Sequence, residues 1–336
     1  MIKLITFATI ATIISTSYIS DLFYIPDKWP NPIYDFSKNQ LSESKVTLGK
    51  VLFYDPLLSA DGTISCASCH SPFSAFSHTD HDLSHGIKDR IGFRNASALM
   101  NLAWQSNFMW DGAVHHLDVQ ALAPLSHPDE MGSSIDTLVQ RLNQSRMYAS
   151  LFEKAFGNPE ATGEKTLKAI SQFMLTLISA GSNYDRVMSL KDTFTVQEAK
   201  GYKLFKMHCA SCHKEPLFTT HQFANNGLQV DTTLNDIGRY KITKDKKDLY
   251  LFKIPTLRNI EYSYPYMHDG RFKKLSQVLN HYSSGIHHSS TLSENLKQPL
   301  DLSSNDKVDI ISFLLTLSDK EFVFNKKHQF PLELLE

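Results

Sequence analysis

All four cysteines of the sequence occur in two copies of one pentapeptide. Each copy reads Cys-Ala-Ser-Cys-His, and the copies lie at Cys66–His70 and Cys209–His213. Two thiols at this spacing can each form a thioether with a haem vinyl group, and the adjoining histidine can bind the iron. A four-thiolate zinc site or two disulfides would use the same cysteines but would not explain the histidines. The motifs therefore predict two haem c groups, held by Cys66, Cys69, His70, Cys209, Cys212 and His213.

The composition is that of an ordinary globular protein with a short N-terminal targeting segment. A chain of 336 residues can form two domains, and a formal net charge of −1 gives no footprint for nucleic acid. Residues 1–20 combine a basic start with an apolar stretch that is short for a membrane span of about 20 residues. We expect a signal peptide there, or an uncleaved anchor as the alternative. Because haem c is attached outside the cytoplasm, we expect the mature protein in a bacterial periplasm.

Each haem motif needs helices that close a pocket around the porphyrin. Apolar spacing predicts a helix at Ser42–Tyr54 before the first motif and another at Thr166–Leu177 after it. Thr195 and Glu198 form a capping box that should open the helix leading to the second motif. A last long helix includes Val308–Leu315. No strand pattern is sustained, so the sequence predicts a mainly α protein.

The two halves of the chain repeat one plan. Phe173–Leu177 and Phe313–Leu317 differ at one position, and each follows its own cysteine pair at a similar distance. This pattern indicates one haem module used twice, with a boundary near Asp185–Asp192. We expect an N-terminal haem domain at 38–188 and a C-terminal haem domain at 193–325.

Further motifs occur in a fixed order around the haem motifs. They are Gly92–Asn95, Asn101–Trp104, Phe108–Gly112, Glu130-Met131, Pro255–Asn259, Pro265–Phe272 and His281-Tyr282. From about Leu48 to Leu317 this set resembles the bacterial di-haem cytochrome c peroxidase family, and more narrowly its MauG-like branch. The resemblance implies two cytochrome-c-like domains. It also implies that the N-terminal haem reacts with hydrogen peroxide, while the C-terminal haem stores and relays electrons.

The resemblance also implies roles for individual side chains. His70 matches the proximal ligand of the peroxidatic iron, and Trp110 matches a tryptophan that passes electrons between the haems. Glu130 matches the distal glutamate, which can act as general base and then acid when peroxide is cleaved. Gln120 matches a distal amide, and Pro124 a residue that shapes the open face of the iron. The family's calcium positions fall on Asn95 and on the carbonyls of Ser263 and Pro265.

Two residues compete to be the second axial ligand of the C-terminal iron, opposite His213. Met267 is chemically attractive because His/Met ligation is common and raises the potential. Alignment of the family pattern instead places Tyr282 at the ligand position, and tyrosine there marks the MauG-like branch. A phenolate favours ferric and higher oxidation states. We expect Tyr282 to be the ligand and Met267 to pack beside the haem.

The surroundings of the peroxidatic iron differ in places from the family pattern. Some members block this iron with a histidine from the loop that here contains His78, His81 and His85. None of these fits the spacing without a gap, so we expect a five-coordinate iron, with His85 as the best exception. Ala113 stands where the family usually has arginine, which puts charge neutralisation near a haem propionate in question. Arg271 could pair with a propionate or form a structural ion pair.

Three functions follow as hypotheses. The leading one is a peroxidase that takes electrons from a small cytochrome c or cupredoxin. The second is a MauG-like oxidant that uses peroxide to modify residues of a partner protein, as Tyr282 suggests. The third is a plain electron-transfer cytochrome, which would require two six-coordinate irons. None of the three involves nucleic acid, and contact with a membrane would come only through an uncleaved N-terminal segment.

Overall fold

The computed structural model describes residues 22–332, which are mainly helical, as predicted. The helices are α1 (Glu43–Tyr54), α2 (Cys66–Cys69), α3 (Leu117–Gln120), α4 (Leu122–Ser126), α5 (Ile135–Asn143), α6 (Arg146–Phe156), α7 (Gly163–Leu175), α8 (Asn183–Met188), α9 (Val196–His208), α10 (Tyr240–Thr243), α11 (Leu275–Asn280), α12 (Ser304–Leu315) and α13 (Lys320–Val323). Strands β1 (Phe223–Ala224) and β2 (Phe252–Lys253) pair antiparallel. Within 22–332, no helix is long and apolar enough to span a bilayer. The predicted signal peptide, residues 1–20, lies outside the described residues.

Capping bonds confirm two of the predicted helix starts. The Ser42 hydroxyl accepts a bond from the Lys45 amide, so α1 begins one residue after the predicted position. At α9 the predicted box is complete: the Glu198 amide donates to the Thr195 hydroxyl, and the Thr195 amide donates to the Glu198 carboxylate at 2.7 Å. The helix expected at Thr166–Leu177 is longer at its start, because α7 is capped by Thr162.

The same helix crossing occurs in both halves of the molecule. Helix α1 packs on α7, and α9 packs on α12. A Cβ atom placed on Gly49 would lie 1.8 Å from the Ala169 carbonyl oxygen, and one on Gly201 would lie 1.9 Å from that of Asp309. Only glycine allows backbones to approach so closely. The repeated plan that the sequence indicates is therefore also a repeated three-dimensional packing.

The repeated pentapeptides end the second helix of each crossing in the same way. The Leu177 carbonyl accepts a bond from the Asn101 amide at 2.8 Å, and the Leu317 carbonyl accepts one from Asn259 at 3.1 Å. Both leucines are fully buried. These matching bonds tie the end of α7 to the loop at Asn101–Trp104 and the end of α12 to the loop at Pro255–Asn259.

Two hydrophobic cores form, one around each crossing. The first contains Phe53, Phe173 and Trp104, and this tryptophan is a packing residue, as expected. The second contains Phe205, Phe218 and Phe313. Phe322 and Val323 of α13 join the first core rather than the second, so this helix packs on the N-terminal half.

Candidate functional site

A cavity of about 250 Å³ opens beside the first Cys-x-x-Cys-His motif. Cys66, Cys69 and His70 line one part of it, and much of the remaining wall is apolar: Phe53, Ile64, Leu102, Phe108, Met131, Ile170 and Met174. A structural zinc ion held by thiolates needs no such free space. The described residues also contain no group of three Cys, His, Asp or Glu side chains arranged for a metal ion. The lining instead suits a flat, largely apolar cofactor attached through the thiols.

The first motif has two unpaired thiols and a neutral histidine. The thiols are not joined as a disulfide, and burial raises the pKa of Cys66 to about 12. The His70 Nδ1 donates to the Phe76 carbonyl at 2.7 Å, which leaves the lone pair on Nε2. Burial lowers the pKa of His70 to about 4, so the imidazole is neutral at pH 7. A neutral imidazole with a fixed tautomer is the form that binds iron.

The second motif repeats this arrangement. The His213 Nδ1 lies 3.2 Å from the Phe218 carbonyl and 3.1 Å from that of Pro255, so Nε2 again carries the lone pair. Burial lowers the pKa of His213 to about 4 and raises that of Cys209 to about 12. Cys212 is also an unpaired thiol. Both motifs therefore fit covalent haem with one histidine ligand each.

The predicted distal residues line the first cavity together with the haem motif. Glu130, Gln120 and Pro124 all contribute to its wall. Burial raises the pKa of Glu130; His127 opposes this shift, while Asp129 adds to it. The Gln120 Nε2 donates to the Met109 sulfur at 3.6 Å. An acid with a raised pKa and an oriented amide thus face the same space as Cys66 and Cys69.

Trp110 connects this cavity to the C-terminal half. It lines the cavity, and its Nε1 donates to the Asn95 carbonyl at 2.9 Å. Its own carbonyl accepts a bond from the Lys253 amide at 2.7 Å. Its ring centroid lies 6.5 Å from that of His268, which stacks on Phe252 at 3.7 Å. The tryptophan therefore stands in contact with both modules.

Tyr282 and Met267 both reach the side chain of Asn226. The Met267 sulfur accepts a bond from Asn226 Nδ2 at 3.4 Å. Tyr282 lies in a π-helical turn at His281–Gly285. Burial raises its pKa to about 12, a hydrogen bond with Asn226 opposes the shift, and nearby Cys209 and Cys212 add to it. Both ligand candidates thus lie close together, and Tyr282 lies near the second pair of thiols.

The three loop histidines lie next to one another, and His81 and His85 stack. His85 lines the cavity, and its ring lies 3.9 Å from that of His81. The His85 carbonyl accepts a bond from the Cys69 thiol at 3.4 Å. His78 is 5.3 Å from His81, and its buried Nε2 has no hydrogen-bond partner among the described residues. Of the three, only His85 lines this cavity.

Of the residues at the predicted calcium positions, Asn95 lies where the two modules meet. Asn95 is buried, its amide donates to the His268 carbonyl at 2.7 Å, and its Nδ2 donates to the Asp82 carbonyl at 3.1 Å. This leaves the side-chain oxygen Oδ1 for a cation. Pro265 is buried and Ser263 is half-buried. Arg271 forms its ion pair with Asp269, which is the structural alternative.

The sequence did not predict several residues that line the first cavity or hold its neighbours in place. Lys253 and Gln105 line the first cavity, Asn226 joins the two ligand candidates, and Arg94 pairs with Asp236 and Asp111. Lys253 had a signal: it is a single cation within the otherwise apolar run Tyr250–Ile254. No sequence signal pointed to the contacts of Asn226 and Arg94, because their partners are distant in the sequence.

Comparisons with known proteins agree with this geometry. A family model described as "Di-haem cytochrome c peroxidase" matches residues 43–193, and one described as "Cytochrome c" matches residues 198–318. The MauG protein of Methylorubrum extorquens is 36% identical, over 88% of this chain and 83% of its own. A cytochrome c551 peroxidase of Nitrosomonas europaea is 36% identical, over 69% of this chain and 70% of its own.

A solved structure supports the fold. It is a MauG-like protein associated with microbial copper homeostasis, with a TM-score of 0.82 and 30% identity, over 91% of this chain and 98% of that one. Each of the two family models covers one Cys-x-x-Cys-His motif. The fold is therefore that of two cytochrome-c-like halves, and the prediction of two haem c groups is confirmed.

Proposed function

Because this chain belongs to the di-haem cytochrome c peroxidase family, an oxidoreductase family, we propose that it reduces hydrogen peroxide to water. Each turnover consumes two electrons and two protons and releases two water molecules. The observation that carries the proposal is that Glu130 and Gln120 line the same cavity as Cys66, Cys69 and His70.

The protein side chains manage the proton that peroxide cleavage requires. When bound, the N-terminal haem supplies the iron at which peroxide is reduced. The Glu130 carboxylate accepts a proton from one peroxide oxygen and returns it to the other, which leaves as water. Burial, which raises the pKa of Glu130, brings it closer to the range in which both directions of transfer are efficient. The Gln120 amide orients the peroxide.

Electrons enter through the C-terminal module and pass to the N-terminal module by way of Trp110. Its contacts with Lys253 and His268 on one side and Asn95 on the other support this route. The donor is a small cytochrome c or cupredoxin in the periplasm. A calcium ion bound by Asn95 Oδ1 and the carbonyls of Ser263 and Pro265 would hold the two modules in this arrangement.

The test is Glu130→Gln, which keeps the shape of the side chain but cannot move a proton. General acid–base catalysis contributes about 10²- to 10⁴-fold, so kcat/KM for peroxide should fall by about 100-fold or more. Steady-state oxidation of a reduced cytochrome measures it. The control is Glu153→Gln, an exposed carboxylate on α6, which should retain wild-type rates. Equal rates in both variants would contradict the role of Glu130.

Tyr282 favours a second candidate function, a peroxide-dependent oxidant of a partner protein. Its position near Cys209 and Cys212 suits a phenolate ligand, which stabilises oxidised iron and so favours removal of electrons from a partner. Fast turnover with reduced cytochromes would support the peroxidase. Slow turnover together with peroxide-dependent mass changes in a partner protein would support the oxidant.

A further inference from the structure

Lys253 is a half-buried cation in the wall of the first haem cavity, and the described residues supply no anion for it. Its Nζ makes one hydrogen bond, to the neutral Gln105 Oε1 at 3.0 Å. No Asp or Glu oxygen of residues 22–332 lies within 4.0 Å of it. Burial lowers its pKa to about 8, and no charge opposes that shift. An ammonium group held away from water is destabilised unless an anion compensates its charge, and no residue described around Lys253 supplies one.

The titratable groups around Lys253 do not provide that anion. His221 is close enough for the charge of Lys253 to contribute to its lowered pKa of about 4, of which burial is the main cause. It is therefore a neutral imidazole at pH 7, and both of its buried ring nitrogens lack hydrogen-bond partners among the described residues. Gln105 and the Trp110 backbone are also uncharged.

The missing anion must occupy the first haem cavity, because Lys253 and Gln105 line it. Arg94 lines it too, but Asp236 and Asp111 already neutralise that guanidinium. Ala113 also contributes to the wall and brings no charge. Of the two cationic side chains that line the cavity, Arg94 and Lys253, only Lys253 therefore has no carboxylate partner among the described residues.

The chemistry of the porphyrin indicates which anion this is. A haem carries its two carboxylates on the edge opposite its vinyl groups. A haem attached through Cys66 and Cys69 therefore presents carboxylates away from these thiols, within the cavity that Lys253 lines. We propose that Lys253, oriented by Gln105, binds a carboxylate of the N-terminal haem and thereby raises the reduction potential of that haem.

Lys253 would raise the reduction potential of the N-terminal haem by electrostatic interaction. A positive charge at the haem edge stabilises the form that carries the additional electron, and it does so strongly where water is excluded. The Lys253 amide also donates to the Trp110 carbonyl. One residue of the C-terminal module therefore links the edge of the N-terminal haem to the tryptophan between the modules. This inference depends on haem attachment and not on the identity of the electron donor or substrate.

The test compares Lys253→Met with wild type in the purified protein carrying both haems. In Lys253→Met, spectroelectrochemical titration should show a lower reduction potential for the N-terminal haem. We expect the ratio of reduced to oxidised haem at a fixed potential to fall about tenfold, which equals 59 mV for one electron. The C-terminal haem should be unchanged. Resonance Raman spectra should show a shifted propionate bending mode. Lys253→Arg should keep the wild-type potential, and Lys246→Met, at an exposed lysine of the same module, should change nothing.

Two results would contradict the role of Lys253. An N-terminal potential in Lys253→Met equal to that of Lys246→Met, or a shift confined to the C-terminal haem, would overturn the proposal. If Lys253→Met does not retain both haems, Gln105→Leu carries the test. Gln105→Leu should shift the propionate mode and lower the reduction potential of the N-terminal haem by less than Lys253→Met. An unchanged Raman spectrum in Gln105→Leu would overturn the proposal equally.

Discussion

Tyr282 and Met267, the two candidate ligands of the C-terminal iron, both interact with the side chain of Asn226. Asn226 Nδ2 donates to the Met267 sulfur, and the same side chain bonds with Tyr282. The Asn226 carbonyl also accepts a bond from the His281 Nε2 at 3.0 Å. Asn226 can therefore hold the residue that does not bind iron, whichever of the two that is.

We expect Tyr282→Phe to change the C-terminal haem and Met267→Leu to leave it nearly unchanged. Loss of a phenolate ligand should favour the reduced form by about tenfold or more, because a hard anionic donor stabilises ferric iron. Redox titration and electron paramagnetic resonance of the resting protein measure the change. The two substitutions are matched controls for each other. The reverse result would identify Met267 as the ligand.

At the level of elements, the two helix crossings depend on glycines that allow backbone contact. Gly49 in α1 and Gly201 in α9 occupy corresponding places against α7 and α12. Because these helices lead into the haem motifs, the spacing of each crossing sets where its cysteines and histidine lie. An added methyl group would push the helices apart at that point.

Gly201→Ala should lower the free energy of unfolding by about 1–3 kcal/mol, the usual cost of overpacking a close contact. The new Cβ would lie 1.9 Å from the Asp309 carbonyl oxygen, so the backbone itself must move. Guanidinium unfolding of the protein with both haems, followed by circular dichroism, measures the loss. Lys200→Ala, at the exposed neighbouring position, should unfold at the wild-type midpoint, and equal midpoints for both variants would contradict the argument.

At the scale of the whole molecule, a buried ion-pair network joins the two halves. Arg94 of the N-terminal half contacts Asp236 of the C-terminal half at 2.6 and 2.8 Å, and Asp111 at 2.7 Å. Burial alone would raise the pKa of Asp236. The hydrogen bond and charge of Arg94 outweigh burial, so its pKa lies below the usual value. This network fixes the modules on either side of Trp110.

Arg94→Met should destabilise the protein by about 3–5 kcal/mol at pH 7, because it leaves buried carboxylates without a partner. A depressed folded-state pKa stabilises wild type above the unfolded value of about 3.9, and that contribution is lost as pH falls below it. In the variant, burial raises the pKa of Asp236, so protonation relieves the strain. The stability difference between the two should therefore shrink as pH falls from 7 toward 4.

Unfolding midpoints measured across that pH range test the expectation. Arg146→Met removes an exposed arginine of α6 and should give a small difference that does not vary with pH. A difference for Arg94→Met that stays constant with pH would show that lost packing, rather than lost charge pairing, causes the destabilisation.

The sequence by itself determined those features that depend on residues close together in the chain. The haem motifs, the capping bonds of Ser42 and Thr195, and the repeated pentapeptides at the ends of α7 and α12 are all local. The observed helix bounds differ from the predicted ones by a few residues where the prediction missed a cap such as Thr162. The mainly α fold and the two haem groups followed from these local patterns.

Only the tertiary structure decided which distant groups share one environment. Gln105 and Lys253 are 148 positions apart and bond directly, and Arg94 meets Asp236 across 142. Whether Lys253 is a solvated surface charge or a half-buried cation without an anionic partner depends on what packs around it. Burial and charge pairing are properties of the assembled core, so no spacing within the chain could have specified them.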